Sequence, residues 1–341
     1  MKTTTAVCCS ALALTVLLSS AAADEPLSAI PRVDVHAHCG SPERMAEYVA
    51  ISASLRQKHD EHLVAWIDLS FRQDKESDDE AYLEAAFVQY QHRFLPCLWD
   101  VIKDGLDYGP NDLVAWQKRG VVGLKIWVGV SDAIDRPEHD PLFSKMTAIG
   151  MPGASIHIAQ PYPTEWCEDP VAFWQSHNAW ERVLDRHPKL VAVNAHMLDH
   201  FNSDEQLDYL IKTLETYPNL HVDLAVRFQQ FHRMDRDKLR SFMIRFQDRI
   251  LFGTDIGRVY GGADQFAEKY HRCFQLLETD DIVQGSFFGD EQEHRGLALP
   301  REVLEKIYWR NAVRVYPALK DALAGLGYAD DAEATSDTTA R

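Results

Sequence analysis

Arg32-Val33-Asp34-Val35-His36-Ala37-His38 is the stretch on which the fold turns. Residues two apart in a strand share a face. Asp34, His36 and His38 therefore predict one polar face, and Val33, Val35 and Ala37 an apolar one. The polar trio is expected to point into a barrel and the aliphatics towards covering helices.

Working outward, runs of the same kind recur. Apolar segments of strand length stand at 33–38, 63–71, 94–101, 121–128, 154–159, 190–196, 220–226 and 250–254. Several are nearly continuous in Val, Ile, Leu and Ala, which suits parallel strands covered on both faces. Amphipathic stretches lie between them. Leu207, Leu210, Ile211 and Leu214 follow one helical face. Ser203 with Gln206 three residues on predicts a capping box. Pro218 blocks further helix before the next strand. Leu239, Phe242, Met243 and Phe246 mark the helix before the eighth strand. Eight strands alternating with helices predict an α/β fold, a (β/α)8 TIM barrel, as a single domain over 24–328. A doubly wound open sheet is the competing fold, but no glycine-rich phosphate turn follows the first strand.

The ends read differently. Lys2, an apolar run over about 6–18 and Ser19-Ser20-Ala21-Ala22-Ala23 predict a signal peptide at 1–23, cleaved before Asp24. The run is short of the roughly 20 residues a membrane span needs. Export to the periplasm or the medium follows as an expectation, with an uncleaved anchor as the competing reading. Residues 329–341 are rich in Asp, Ala, Ser and Thr and predict a disordered tail. Beyond the leader, Cys39, Cys97, Cys167 and Cys273 are widely spaced, with no CxxC pair, and are read as buried free thiols. The net charge of -17 argues against nucleic acid or an anionic membrane as partner. The expected partner is a small-molecule substrate, and a homo-oligomer is compatible with the sequence.

Functional groups of a parallel barrel stand at the C-terminal ends of its strands. Those ends carry His36 and His38 on the first strand, Lys125 on the fourth, His157 on the fifth, His196 on the sixth and Asp255 on the eighth. An HxH alone is weak evidence for a metal. The joint pattern is stronger, because imidazole and carboxylate ligate Zn²⁺ and neighbouring transition metals. A Lys in an apolar run also requires a partner or a chemical change.

The DxHxH of the first strand, the His on the fifth and sixth, and Phe252-Gly253-Thr254-Asp255 resemble the amidohydrolase superfamily. More specifically they resemble its amidohydrolase-related branch, which includes lactonases and metal-dependent decarboxylases. Tyr217-Pro218-Asn219-Leu220-His221-Val222-Asp223 and Asn311-Ala312 extend the resemblance over about 32–316. It implies His36, His38, His157 and Asp255 as ligands of a divalent metal, most simply Zn²⁺, with Mn²⁺ or another transition metal as the alternative. It implies His196 as a second-metal ligand or an acid–base group. Lys125 stands where two-metal members carry a bridging carbamylated Lys; a plain lysine paired to Asp34 or another acid is the competing reading, so one or two ions remain open.

The reaction implied is hydrolysis of an amide, lactone or ester. A divalent ion lowers the pKa of its water towards roughly 7. Asp255 would take the water proton and return it to the leaving group, and His196 or the metal would polarise the carbonyl. Arg227 and Arg258 are candidates for a grip on a substrate carboxylate, against salt bridging within their loops. Trp127 is a candidate pocket wall, against simple packing. A decarboxylase of an unsaturated or aromatic acid on the same ligands, and an exported binding protein without turnover, are the rival functions. The stretch 261–299 is expected to form a lid or a subunit contact.

Overall fold

The computed structural model describes residues 25–102, 105–128, 134–158 and 170–328. The predicted leader and tail, Cys167 and Ala159 lie outside these residues. Eight parallel strands pair in chain order in one sheet: β1 (Pro31–Ala37), β2 (His62–Phe71), β3 (Phe94–Ile102), β4 (Gly123–Val128), β5 (Gly153–Ile156), β6 (Ala192–Asn194), β7 (Leu220–Asp223) and β8 (Ile250–Leu251). A helix follows each: α1 (Pro42–His59), α2 (Asp79–Glu84), α3 (Pro110–Gln117), α4 (Asp140–Ile149), α5 (Pro170–Arg186), α6 (Asp204–Thr216), α7 (Arg236–Arg245) and α8 (Ala263–Glu278). The sheet returns on itself. The Val35 amide donates to Phe252 O at 3.0 Å, Asp255 to His36 O at 2.8 Å and His38 to Ile256 O at 2.7 Å. Helix α1 packs on α8 across this seam. The TIM-barrel expectation holds.

Local chemistry explains the boundaries. Ser41 caps α1 by accepting from the Arg44 amide, and Pro42 occupies the first turn, where its missing N–H costs nothing. Ser203 caps α6 as predicted, accepting from the Gln206 amide. The Gln206 carboxamide oxygen reaches one residue further back than a capping box requires, to the Asn202 amide. Helix α6 ends at Thr216, before Pro218. Leu207, Leu210 and Leu214 are buried, as are Leu239, Phe242 and Met243 on α7. Cys39, Cys97 and Cys273 are buried free thiols.

Two departures matter. Strands β6, β7 and β8 end earlier than predicted, because the chain leaves extended geometry at the site residues themselves. His196, Val226 and Asp255 have φ of 57°, 66° and 67°. Second, β1 does not alternate strictly. Its register against β2 slips between Asp34 and Ala37. Asp34 consequently does not join His36 and His38. Its carboxylate accepts from Thr254 Oγ1 and from the Tyr270 hydroxyl of α8, the latter at 2.6 Å.

The stretch 261–299 supplies α8 and then a short antiparallel hairpin, β9 (Ile282–Gln284) and β10 (Glu293–Arg295). β10 lies against the turn Arg227–Arg233, with the His294 and His232 rings 5.2 Å apart. No helix among the described residues is long and apolar enough to cross a membrane.

Candidate metal centre

The strand ends gather the predicted residues at one mouth of the barrel. His36 Nε2 lies 3.2 Å and His38 Nε2 3.0 Å from the same atom, Asp255 Oδ1. Ligand atoms of these three residues fall within 4.8 Å of one another. The His36 and His196 rings are 4.9 Å apart, as are those of His157 and His196. His38, Lys125, His157, His196, Arg227 and Asp255 all line one cavity of about 150 Å³.

The outer nitrogens fix what the inner ones can do. His36 Nδ1 donates to Asp223 Oδ2 at 2.9 Å, so its Nε2 presents a lone pair. His196 Nδ1 donates to Ala225 O at 3.0 Å, which leaves its Nε2 an acceptor too. His38 Nδ1 meets Ser70 Oγ at 2.7 Å. His157 Nε2 is buried and has no hydrogen-bond partner among the described residues. A lone pair 3.2 Å from a carboxylate oxygen is repulsive unless a proton or a cation lies between them.

The electrostatics point the same way. Burial alone would depress His36, but Asp223 and Asp255 outweigh it and push the imidazole up to about 9. Burial would raise Asp255, yet His36 and His38 hold it well below the usual carboxylate range. The site thus demands positive charge beside Asp255. His157 is held neutral by burial, reinforced by His196 and Lys125. His196 is lowered to about 3 by burial, then by His36. Neutral imidazoles are the ligating form. The donor set fits a divalent cation.

Asp223 is the residue that orients the centre. It is buried and accepts from His36 Nδ1, Ser155 Oγ and the amides of His196 and Ala225. Carboxylate-to-histidine contacts of this kind set the tautomer of a metal-bound ring.

Other expectations need correction. Lys125 is not paired to Asp34. It is buried, its ammonium donates to Ser155 O, and burial pulls it down to about 8 against Asp255 and Asp223. Arg227 lines the cavity with Nη2 on the Asp199 carboxylate and Nε on His196 O at 2.9 Å, while its buried Nη1 has no hydrogen-bond partner among the described residues. It clasps both ends of an unusual turn: His196, Met197, Leu198 and Asp199 all have positive φ, from 54° to 58°. Each such residue costs roughly 1–2 kcal/mol. Arg227 is thus first a brace for His196. Arg258 is exposed and lines a different cavity of about 560 Å³ with Arg44 and Ser77, because the chain turns outward after Ile256 pairs with Ala37. His196, accepting at Nε2, cannot polarise a carbonyl by donating a proton there.

The family model described as amidohydrolase matches residues 33–318. The chain belongs to the amidohydrolase family. Solved structures at low sequence identity share its fold. A 4-oxalomesaconate hydratase from Rhodopseudomonas palustris is 16% identical, with a TM-score of 0.51 and coverage of 87% of this chain and 98% of that one. A probable 2-pyrone-4,6-dicarboxylic acid hydrolase from Acinetobacter baumannii is 13% identical, with a TM-score of 0.50 and coverage of 84% and 100%. A 5-carboxyvanillate decarboxylase from Novosphingobium aromaticivorans with bound manganese is 12% identical, with a TM-score of 0.50 and coverage of 85% and 98%. No curated protein matches the sequence significantly. The amidohydrolase family is enzymatic and metal-dependent, and its members include hydrolases, hydratases and decarboxylases.

Three residues of this amidohydrolase escaped the sequence reading. Asp223 stood in a quoted motif without a role; its place at the end of the seventh strand was the available signal. Ser70, at the end of β2, and Asp199 gave none, since their roles depend on partners distant in sequence.

Proposed function

We propose that this amidohydrolase is a metal-dependent hydrolase of an amide, lactone or ester in a small substrate. His36, His38, His157 and Asp255 hold one divalent ion, Zn²⁺ in the first instance and Mn²⁺ as the alternative. The supporting observation is the convergence of two histidine nitrogens on Asp255 Oδ1 at a cavity that His157 also lines, although His157 stands outside the group of ligand atoms within 4.8 Å of one another. When bound, such an ion acidifies water and polarises a carbonyl. Asp255 is placed to take a proton from the attacking water and return it to the leaving group. His196 accepts a proton or ligates at Nε2, held by Ala225 O and by the Arg227 brace. Lys125 remains a bridging ligand only if a second ion binds and its amine is carbamylated.

Decarboxylation of an unsaturated or aromatic acid is the second reading, since the manganese-bound decarboxylase shares the fold. Metal analysis before and after chelation tests the centre. About one ion per chain is expected, with activity lost on chelation and restored by Zn²⁺ or Mn²⁺. Activity that survives complete metal removal would sink the proposal, and two ions would assign Lys125 a bridging role. A panel of esters, lactones and amides run beside carboxylic acids, with released CO₂ recorded, separates the two reactions. The leader-like 1–23 supports export; a mature chain beginning at Asp24 is the expected N-terminal sequencing result, and an intact Met1 would refute it.

A further inference from the structure

The left-handed turn that begins at His196 has to be held from outside, because L-residues do not sustain that conformation by themselves. Its first three carbonyls each take a separate donor. His196 O accepts from Arg227 Nε at 2.9 Å, and Met197 O from the His200 amide at 3.2 Å. Leu198 O, on a buried residue, lies 2.9 Å from His177 Nε2. No other donor reaches Leu198 O among the described residues. Buried carbonyls are paired in native proteins. Arg227 therefore holds the ends of the turn, at His196 O and Asp199, and His177 holds its middle.

His177 is buried on the inner face of α5. Its other ring nitrogen, Nδ1, lies 2.9 Å from Phe173 O. A neutral imidazole donates from one nitrogen only. Phe173 O stands four residues back in the same helix, where the His177 amide is its ordinary donor. Leu198 O has no such alternative, so the ring proton belongs on Nε2. One helical turn further along α5, Trp180 Nε1 donates to Asn194 Oδ1 at 2.9 Å, and Asn194 Nδ2 donates to Ile156 O at 3.0 Å. Ile156 directly precedes His157, and Asn194 stands at the end of β6 just before the turn. One face of α5 thus grips the strand end beside His157 and the turn that bears His196, two rings that stand 4.9 Å apart.

We infer that His177 and Trp180 are positioning residues for the histidines of the cavity, His177 acting on His196 through Leu198 O and Trp180 on His157 through Asn194 and Ile156 O. Neither reaches the cavity itself; each supplies one N–H that fixes the backbone from which an active imidazole projects. This rests on the proposed function only for the chemical task of His196 and His157. The placement itself needs no metal.

The test reads the imidazole ¹⁵N resonances of the full chain, metal-free and zinc-loaded, with those of His196 identified by their loss in His196→Gln. His177→Gln keeps an N–H near the Nε2 position, His177→Asn reaches only as far as Nδ1, and His177→Leu has no donor. The Asn and Leu variants should shift the His196 resonances and leave those of His221, away from the mouth, in place. The Gln variant should return them towards the wild-type positions. A lower urea midpoint in the Asn and Leu variants with unmoved His196 resonances would make His177 merely structural and overturn the inference. A Gln variant that behaves like Leu would overturn it too. Should the His177 variants fail to fold, Trp180→Phe, which keeps an aromatic ring and removes the N–H, should move the His157 resonances more than those of His196; unmoved His157 resonances overturn the inference. Zinc separates the two ideas. If wild type binds no zinc but the metal-free spectra follow the expected pattern, the metal reading fails and the positioning role stands. If zinc binds while His196 ignores every His177 substitution, the positioning role fails alone.

Discussion

Strand β1 carries two buried polar networks that differ in one respect. The lower one, Arg32 and Asp34, is occupied by partners. Arg32 bonds Ser28 O, Ile30 O, Leu27 O and Glu278, and lies over the Phe274 and Tyr308 rings, with only Nε left over. Asp34 accepts from Thr254, Tyr270 and the His36 amide. The upper one, His36 and His38, sets two histidine nitrogens against one carboxylate oxygen, and the cavity beside it is lined by His157, whose Nε2 has no hydrogen-bond partner among the described residues. Seven of the twelve non-glycine positive-φ residues described, Ser155, His196 to Asp199, Val226 and Asp255, belong to the strand ends around the upper network. Buried polarity that satisfies itself holds a barrel shut. Buried polarity left unbalanced, on a strained backbone, is a place for something else to bind.

The contrast predicts opposite phenotypes. Asp255→Asn should reduce kcat/KM by about a thousandfold or more, since it removes both a ligand and the proton acceptor. The urea midpoint of the metal-free variant should fall only modestly beside that loss of activity, because the pairing of the carboxylate with His36 and His38 is offset in part by the cost of burying it. Parallel kinetics and urea melts check both halves; a large loss of metal-free stability would break the contrast. Arg32→Met should do the reverse. Breaking a buried ion pair costs about 3–5 kcal/mol, here read from urea unfolding, while zinc stoichiometry at saturation stays at the wild-type value. A variant that loses zinc but keeps its stability would show that the lower network serves the site.

How much of this the sequence disclosed follows from range. The eight strands were legible because burial on two faces writes itself into consecutive residues, as in 63–71 and 121–128. His36, His38, His157 and Asp255 were legible because strand ends are positions of known meaning in this fold. The facing of Asp34 was not, because one register slip moves a side chain to another layer. The bracing role of Arg227 was not legible either, because nothing near it in sequence announces Asp199 as partner or the left-handed turn it holds. Nor did the sequence disclose that Arg258, three residues beyond Asp255, lines a cavity other than the one at the ligands.

A finer cut comes from the residues that support the upper network without entering it. Asp223→Asn keeps the size of the side chain but removes the charge that fixes the His36 tautomer. Outer partners of metal-bound histidines contribute about 10–100-fold in metal affinity. Competition with a chromophoric chelator should show a loss of that order for zinc. No change would mean that Asp223 only braces the His196 and Ala225 amides.

The smallest effect separates histidines by their surroundings. His221 lies on β7, two residues before Asp223, is buried, and is absent from the lining of the metal cavity. Burial, then Arg249 and Arg314, depresses it to about 3. Its neutral form is the native one, so the folded state binds fewer protons than the unfolded chain between about 6.5 and 3. The stability this contributes is complete above about pH 6.5 and is lost as pH falls towards 3. In His221→Leu that share of the acid slope disappears, up to about 1.4 kcal/mol per pH unit inside the window. Urea melts of metal-free protein at pH 7, 6 and 5 measure the slope in both forms. Parallel slopes would mean that His221 takes up its proton in the fold, and that a buried histidine away from the mouth is no quieter than one within it.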